Sequence, residues 1–346
     1  MATKLYNKHL SDIMNSSKSY YILDTYIAMA YMSVQVENKF YIQTYSENIS
    51  NLVRLVMRYV KDVSYGAIRN AITELIDLDI LFYDKEMDFY VLNEMENMLK
   101  KKNFHLSEDK TEKLVGYTNI QDIFLTPRFS KMKFREKRLL IYIFQLADSN
   151  ANKNYGINNV CNLLKINSSW MKILRTKCLY YAEDTIRKFL LNNTDIFEDT
   201  SDKFRIEFAP KHVNRFRFSF NLKKENVSKN GLDTDRDLRI IINNNQSEYS
   251  YIVSKCLFVD VVLTNTQLMH IMRAVIPLPI WSYKVELIDS IINKLKLSED
   301  EDYDGKISSL PAYLFGITRR LMEEHRNYLS SKAEIITQFE SAEAKN

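Results

Sequence analysis

The stretch SSWMKILRTKCLYYAEDTIRKFLLNNTDIFEDTSDKFRIEF, residues 168–208, changes its periodicity part of the way along. Its first half has apolar residues at about every 3.6 positions, which predicts an amphipathic helix. From Phe204 to Phe208 apolar residues alternate with charged ones, and this period of two predicts a strand. Asp199–Asp202 supply a polar turn before it. The stretch therefore predicts a long helix that leads into a two-stranded hairpin.

Two further helices are predicted upstream of this stretch, at Leu139–Leu146 and at Ile157–Ile166. Three helices followed by a hairpin is the order of a winged helix, whose last helix enters the major groove of DNA. Side chains that can contact bases or phosphates gather at the start of the long helix and in the wing. They are Ser168, Ser169, Lys172, Arg175 and Thr176 in the helix, and Lys203 and Arg205 in the wing. Trp170, between them, has two interpretations: a core residue, or a stacking contact with a base.

The same order of elements is predicted earlier in the chain. Helices are expected at Tyr20–Gln35 and Ile49–Val60, then a third from Tyr65 with Asp62 or Ser64 as its cap, and a hairpin within residues 81–92. The exposed face of this third helix carries groups suited to a major groove: Tyr65, Arg69, Asn70 and Thr73. Its wing is acidic, so two hypotheses stay open for this module, a DNA contact and a dimer or regulatory surface.

The 346 residues are too many for one ordinary core and predict several domains. We expect a mainly α fold with short β-hairpin wings, that is, two tandem winged-helix domains followed by a helical C-terminal domain. The predicted ranges are 1–127 for the first winged helix with its connector, 128–222 for the second with its basic entry segment, 223–247 for a linker, and 248–346 for the helical domain.

Positive charge is concentrated in the middle of the chain. The net charge is −3 for residues 1–127, +9 for 128–220 and −2 for 221–346. The segment RFSKMKFREKR, residues 128–138, contains six cations, of which Lys131, Lys133 and Arg135 are expected to follow a phosphate backbone between the modules. The alternative interpretation is a solvated basic surface.

Several classes of function find no support in the sequence. The six glycines do not form a phosphate-binding loop, and the five histidines are isolated from one another. The three cysteines lie far apart in apolar surroundings, which predicts buried free thiols. No run of 18 apolar residues or secretory signal occurs. We therefore expect a cytoplasmic protein that is not an enzyme and has no cofactor, no metal and no membrane partner.

Two regions carry a resemblance to a known family, Tyr65–Leu92 and Ser168–Lys211, the latter ending in Phe-Ala-Pro-Lys after its hairpin. In these regions the chain resembles plasmid replication initiator (Rep) proteins with tandem winged-helix domains, of the low-GC Gram-positive, clostridial conjugative type. Residues Leu310–Ile317 also look like the last helix of primosomal DnaD-like proteins. The resemblance implies binding to repeated origin sites, distortion of DNA, and recruitment of a host helicase, helicase loader or primase through the C-terminal domain.

The leading hypothesis is thus a sequence-specific binder of double-stranded DNA that initiates plasmid replication. The main alternative is a transcriptional or conjugation accessory regulator, which needs the same groove contacts without helicase recruitment. A third hypothesis is an interaction scaffold whose winged helices contact protein, including a second copy of the chain.

Overall fold

Most of the described chain is helical, and its strands form small antiparallel sheets. The computed structural model describes residues 4–16, 19–36, 39–44, 47–96, 116–151, 183–199, 220–223, 231–300 and 303–343. The chain folds into two units, residues 1–233 and 234–346. A mainly helical fold with short hairpins is therefore confirmed at this coarse level.

The first unit begins with a strand that the periodicity analysis did not predict. β1 (Lys4–Tyr6) leads into α1 (Asn7–Ser16) and pairs antiparallel with β6 (Tyr117–Asn119), with Lys4 opposite Asn119. Leu5 is fully buried between them and the core. Because its partner lies more than a hundred residues away, such a short strand has no local signal that would reveal it.

α2 (Ile22–Met32) is the central helix of this unit, and every side chain from Ile22 to Tyr31 is buried. A helix that is apolar on all sides needs neighbours all around it. Here they are α1, the helices α3 (Ile49–Val56) and α4 (Tyr65–Asp77), and the main sheet. The helix was predicted to extend to Gln35, which is wrong. It ends at Met32 because Ser33 takes an extended conformation and the β-branched residues after it form a strand.

The main sheet of the first unit has four strands in the order β2-β3-β5-β4. The hairpin predicted within residues 81–92 is confirmed, with β4 and β5 paired through the turn between them. The sequence patterns missed the other two strands, which form a second hairpin after α2 and join the sheet through β3 and β5. The bounds are β2 (Val34–Val36), β3 (Lys39–Ile42), β4 (Leu81–Asp84) and β5 (Phe89–Leu92).

Between these hairpins lie α3 (Ile49–Val56) and α4 (Tyr65–Asp77), both close to their predicted positions. α3 was expected to reach Val60 but stops at Val56, and a tight turn follows. Both helices pack on α2 and on each other. The order along the chain is therefore helix, hairpin, helix, helix, hairpin, with β5 between β3 and β4.

The residues after the main sheet pack against α2 and β6 rather than beginning a separate unit. A 3-10 helix (Asp122–Leu125), α5 (Pro127–Lys131) and α6 (Phe134–Ala151) all lie in the first unit. Lys137 of α6 donates to Asp24 of α2 across 2.6 Å in the core. The boundary predicted between residues 127 and 128 therefore falls inside this unit, because a buried ion pair joins its two sides.

Only the end of the long helix that was predicted from Ser168 is described, as α7 (Glu183–Asn192). It is followed by β7 (Phe197–Asp199), which pairs antiparallel with β8 (Phe220–Leu222). The strand predicted at residues 203–208 lies outside the described residues.

The second unit consists, in its described residues, of helices. A linker was predicted at 223–247, but Thr234–Asn244 form a helix whose Leu238 and Ile241 are buried. Asp235 and Asp237 lie in its first turn, where they interact favourably with the helix dipole. Downstream, helices were predicted at 250–262, 266–275, 283–297 and 311–329; all four are present, and the last continues to Glu343. The helices of this unit are α8 (Thr234–Asn244), α9 (Gln246–Val259), α10 (Asn265–Val275), α11 (Trp281–Leu297) and α12 (Leu310–Glu343).

Candidate nucleic-acid interface

α4 separates its apolar and polar residues onto two faces. Ser64 caps the helix by accepting a hydrogen bond from the backbone N–H of Ala67. The face toward α2 and α3 is buried and consists of Ile68, Ala71, Ile72 and Leu75. The opposite face is exposed and carries Tyr65, Arg69, Asn70 and Thr73. The helix thus presents a phenol, a guanidinium, an amide and a hydroxyl group to solvent.

The basic segment 128–138 lies beside the start of α4. Lys131 Nζ is 3.2 Å from Asp62 Oδ2, in the turn that precedes the cap Ser64. Both side chains are about two-thirds exposed, at 69% and 65%. An ion pair this exposed contributes little to stability, so Lys131 can exchange its carboxylate partner for a phosphate at low cost.

Residues 19 and 20 also connect the basic segment to α4. The Tyr20 hydroxyl donates to the carbonyl of Met132 at 2.5 Å, and the N–H of Ser19 donates to Glu74 Oε2 of α4 at 3.0 Å. Because Ser19 and Tyr20 are adjacent, these two bonds hold the end of α5 and the middle of α4 to the same short piece of chain. The position of the basic segment relative to α4 is therefore set by hydrogen bonds and does not rest on the Lys131–Asp62 pair alone.

The six cations of residues 128–138 have different environments. Lys131, Lys133 and Arg135 are exposed. Arg128 pairs with Asp195 and donates to Asn193, which joins α5 to the turn after α7. Lys137 is buried in the core. Charge counting along the sequence overstates the surface charge here, because at least one of the six cations never faces solvent.

Part of the positive charge of the basic segment is compensated by the helices that carry it. Arg128 and Lys131 lie in the last turn of α5, where cations interact favourably with the helix dipole. At the start of α6, Glu136 accepts a hydrogen bond from the backbone N–H of Lys133 at 2.9 Å. The charges at the end of α5 and at the start of α6 are thus compensated within the protein.

The turn between α3 and α4 contains two cations that the sequence analysis did not select, Arg58 and Lys61. Burial, followed by the positive charge of Arg58, lowers the pKa of Lys61 below its ordinary value. Asp62, which pairs with Lys131, follows Lys61 directly in the chain. In the sequence, the pattern that could have indicated these two cations was their spacing of three residues just before the Ser64 cap.

The β4–β5 turn uses its carboxylates to build the turn. Asp84 Oδ1 accepts from the backbone N–H groups of Glu86 and Met87, and its other oxygen lies 3.6 Å from Lys39 Nζ. The Tyr83 hydroxyl hydrogen-bonds to Asp88, which has a positive φ of 58°. Lys85 and Glu86 are exposed at the tip. The carboxylates of Asp84 and Asp88 are therefore engaged in the folding of this turn.

Seven of the predicted contact residues lie outside the described residues. They are Ser168, Ser169, Lys172, Arg175 and Thr176 of the predicted long helix, and Lys203 and Arg205 of the predicted wing. The described ones form two groups, Tyr65, Arg69 and Asn70 on α4, and Lys131, Lys133 and Arg135 in the basic segment. Lys131 contacts Asp62, three residues before Tyr65.

Within the described ranges, no three His, Cys, Asp or Glu side chains are placed to share a metal ion. No helix among the described residues combines the length and the apolar character needed to cross a bilayer. Comparisons with protein-family models, with curated proteins and with solved structures found no match for this chain.

Proposed function

We propose that residues 22–92 form a winged-helix module and that the protein is a sequence-specific binder of double-stranded DNA. The topology supports the first part, since a helix, a hairpin, two helices and a second hairpin follow one another, and β5 pairs between β3 and β4. In such a module α4 is the helix that enters the major groove, and the β4–β5 turn is the wing.

The observation that carries the proposal is the contact between Lys131 and Asp62. It places the exposed Lys131 beside the start of a helix whose exposed face carries Tyr65, Arg69 and Asn70. Arg69 and Asn70 are suited to hydrogen bonds with guanine and adenine edges, whereas Lys133 and Arg135 are suited to phosphates. In this arrangement base reading and backbone binding occur on adjacent surfaces.

We further propose that this binding serves the initiation of plasmid replication in the cytoplasm, as the resemblance of Tyr65–Leu92 to Rep proteins implies. The protein itself carries out no reaction. The residues outside the described ranges, including Lys172, Arg175 and Lys203, would form the second DNA-binding module, and a host helicase, helicase loader or primase would bind the C-terminal region.

The test begins with duplexes selected by the full-length protein from a random library. The selected duplex and a scrambled duplex are then titrated by fluorescence anisotropy at several salt concentrations. Arg69→Ala with Asn70→Ala should remove most discrimination between the two duplexes, at about 1–3 kcal/mol for each lost base contact. Lys133→Ala with Arg135→Ala should instead weaken binding to both duplexes and reduce the salt slope by about one for each lost phosphate contact.

Arg319→Ala in α12 is the matched control, because this exposed arginine pairs only with its own helix neighbour Glu323 among the contacts recorded for it. No selected sequence, or equal discrimination in the Arg69/Asn70 variant, would contradict the proposed base-reading face. A plasmid-maintenance assay separates an initiator from a regulator. If the protein is an initiator, the Arg69/Asn70 variant should fail to maintain the plasmid. If it is a regulator, the same variant should change only gene expression.

A further inference from the structure

The turn between α3 and α4 holds two cations close to each other. Arg58 follows the end of α3, Lys61 comes three residues later, and both side chains are partly buried. Burial is the larger cause that lowers the pKa of Lys61, and the positive charge of Arg58 is the second. Both causes act against the charged ammonium group. The free protein therefore keeps the two cations together at a cost in electrostatic free energy.

No carboxylate among the described residues offsets this repulsion at Lys61. Asp62 is the next residue in the chain, but its carboxylate pairs with Lys131 at 3.2 Å. Within the part of the chain that the structure describes, Arg58 is the only charged group that affects the pKa of Lys61. Cations that a fold brings together without an acid between them create a positive potential, and this potential attracts anions.

Arg54 extends the positive surface along α3. It is exposed in the last turn of the helix, four residues before Arg58. The N–H groups of Met57 and Val60 each bond to the carbonyl four residues earlier, so the helical path continues beyond the end of α3. Residues four apart on such a path lie on the same side. We refer to Arg54, Arg58 and Lys61 as the α3 cations.

The α3 cations lead to the beginning of α4. The two helices pack on each other, and Lys61 precedes the cap Ser64 by three residues. Lys131 reaches the same turn through its pair with Asp62. When the second helix of a helix-turn-helix lies in the major groove, the first helix crosses the DNA backbone. The side of α3 that carries cations is therefore suited to the backbone next to the groove.

We propose that Arg54, Arg58 and Lys61 bind backbone phosphates of one DNA strand beside the groove that α4 enters. This inference rests on the proposed DNA binding and adds a second phosphate-binding surface to that of Lys133 and Arg135. A phosphate between Arg58 and Lys61 offsets their repulsion, so the bound state gains a stabilisation that the free protein lacks. The contact does not read sequence, because every nucleotide presents the same phosphate group.

The first test measures affinity and its salt dependence in the full-length protein. The selected duplex and the scrambled duplex are titrated by fluorescence anisotropy at several salt concentrations. Lys61→Gln and Arg54→Gln should each weaken binding to both duplexes by the same factor and reduce the salt slope by about one. Lys8→Gln is the matched control. It removes the charge of an exposed lysine in the same unit, which pairs with Glu94 on α1's side of the fold, and should leave the slope unchanged.

The stability of the free protein distinguishes a ligand contact from a structural role. Lys61→Gln relieves the repulsion with Arg58, so it should leave the melting temperature without DNA unchanged or higher. The selected duplex should raise the melting temperature of the wild-type protein more than that of the variant, because a ligand stabilises in proportion to its affinity. A lower melting temperature of the free variant would mean that Lys61 supports the fold, and this result would contradict the proposal.

Neutral phosphates locate the contact on the DNA. Methylphosphonates replace the phosphates of the selected duplex one at a time, and each duplex is titrated with the wild-type protein and with Lys61→Gln. At one position or two adjacent positions, the replacement should weaken wild-type binding several-fold. The same replacement should have little effect on the variant, because the two changes remove the same contact and their effects are not additive. Additive effects at every position would overturn the contact.

The outcomes separate this inference from the proposed function. A wild-type protein that binds neither duplex would contradict both. A wild-type protein that discriminates between the duplexes, with Lys61→Gln and Arg54→Gln unchanged in affinity and salt slope, would overturn the α3 contact alone. Inorganic phosphate at constant ionic strength is the last comparison. If it raises the melting temperature of the wild-type protein but not of Lys61→Gln, while both bind the duplex equally, the site takes a free phosphate ion and the DNA contact is wrong.

Discussion

The ammonium group of Lys137 lies 2.6 Å from Oδ2 of Asp24, with side-chain exposures of 0% and 1%. The rings of Tyr20 and Tyr21 flank the ammonium, with centroids 4.5 and 5.0 Å away. Burial lowers the pKa of Lys137 and raises the pKa of Asp24, and in each case the opposite charge of the partner works against that shift. The pair joins α6 to α2 and so connects the basic segment to the central helix of the first unit.

Removing one partner of this pair should be more harmful than removing both. Lys137→Met leaves a carboxylate buried without its cation and should lower the free energy of unfolding by about 3–5 kcal/mol. Lys137→Met with Asp24→Leu should recover much of this loss. Urea unfolding of the two single variants and the double variant gives the coupling energy. Additive effects would show that the two charges do not depend on each other.

Stability should depend on pH through His9. Burial lowers the pKa of His9 to about 3 from 6.5, and Nδ1 lies 3.2 Å from the Tyr26 hydroxyl. At pH values between these two pKa values, His9 therefore binds a proton in the unfolded chain but not in the folded chain. The contribution of His9 is complete above pH 6.5 and is lost at about 1.4 kcal/mol per pH unit as the pH falls toward 3. Urea titrations at several pH values should show a shallower slope for His9→Gln.

In the second unit, Arg273 should not be replaceable by lysine. Arg273 Nη2 donates to both carboxylate oxygens of Asp237, at 3.0 and 2.9 Å, and both side chains are largely buried. Lysine keeps the charge but not the planar geometry, so Arg273→Lys should cost about 1.5–3 kcal/mol in unfolding free energy. Arg319→Lys, in an exposed pair with Glu323, is the control and should change little.

Two glycines should respond to alanine with opposite signs. Gly231 has φ of +75°, and an added Cβ would lie 2.7 Å from the carbonyl oxygen of Ile120, so Gly231→Ala should destabilise by more than about 1 kcal/mol. Gly316 lies within α12 and a Cβ there meets nothing within 4 Å. Gly316→Ala should therefore stabilise the helix by up to about 1 kcal/mol. Hydrogen exchange of the two units, followed separately, measures both effects.

Neutralising Asp62 should strengthen DNA binding if the proposed interface is correct. Asp62→Asn releases Lys131 and removes a negative charge next to α4, and asparagine tolerates the positive φ of 60° at this position. Affinity for the selected duplex at low salt should increase several-fold, and the salt slope should become steeper. Glu323→Gln in α12 is the control for a general change of charge. Unchanged affinity would place the DNA elsewhere on the protein.

The helices α9 to α12 and the α3–α4–hairpin segment were predictable because their signals are local. Ser64 caps α4, apolar residues recur along it at helical spacing, and the polar turn at residues 84–88 separates two apolar runs. The exposed face of α4 followed from the same spacing, since residues three or four apart share one face of a helix. By contrast, β2 and β3 follow so closely on an apolar helix that the periodicity of Ile22–Tyr31 concealed where they begin.

The sequence by itself determined where α3, α4 and the helices α9 to α12 lie, which face of α4 is polar, and where positive charge is concentrated. Only the tertiary structure decided which cations reach solvent and what lies beside them. Lys137 and Lys133 are alike in the sequence, yet one is buried against Asp24, 113 residues away, and the other is exposed. The physical reason is that periodicity reports on a window of one or two helical turns, whereas an ion pair depends on which distant elements pack together.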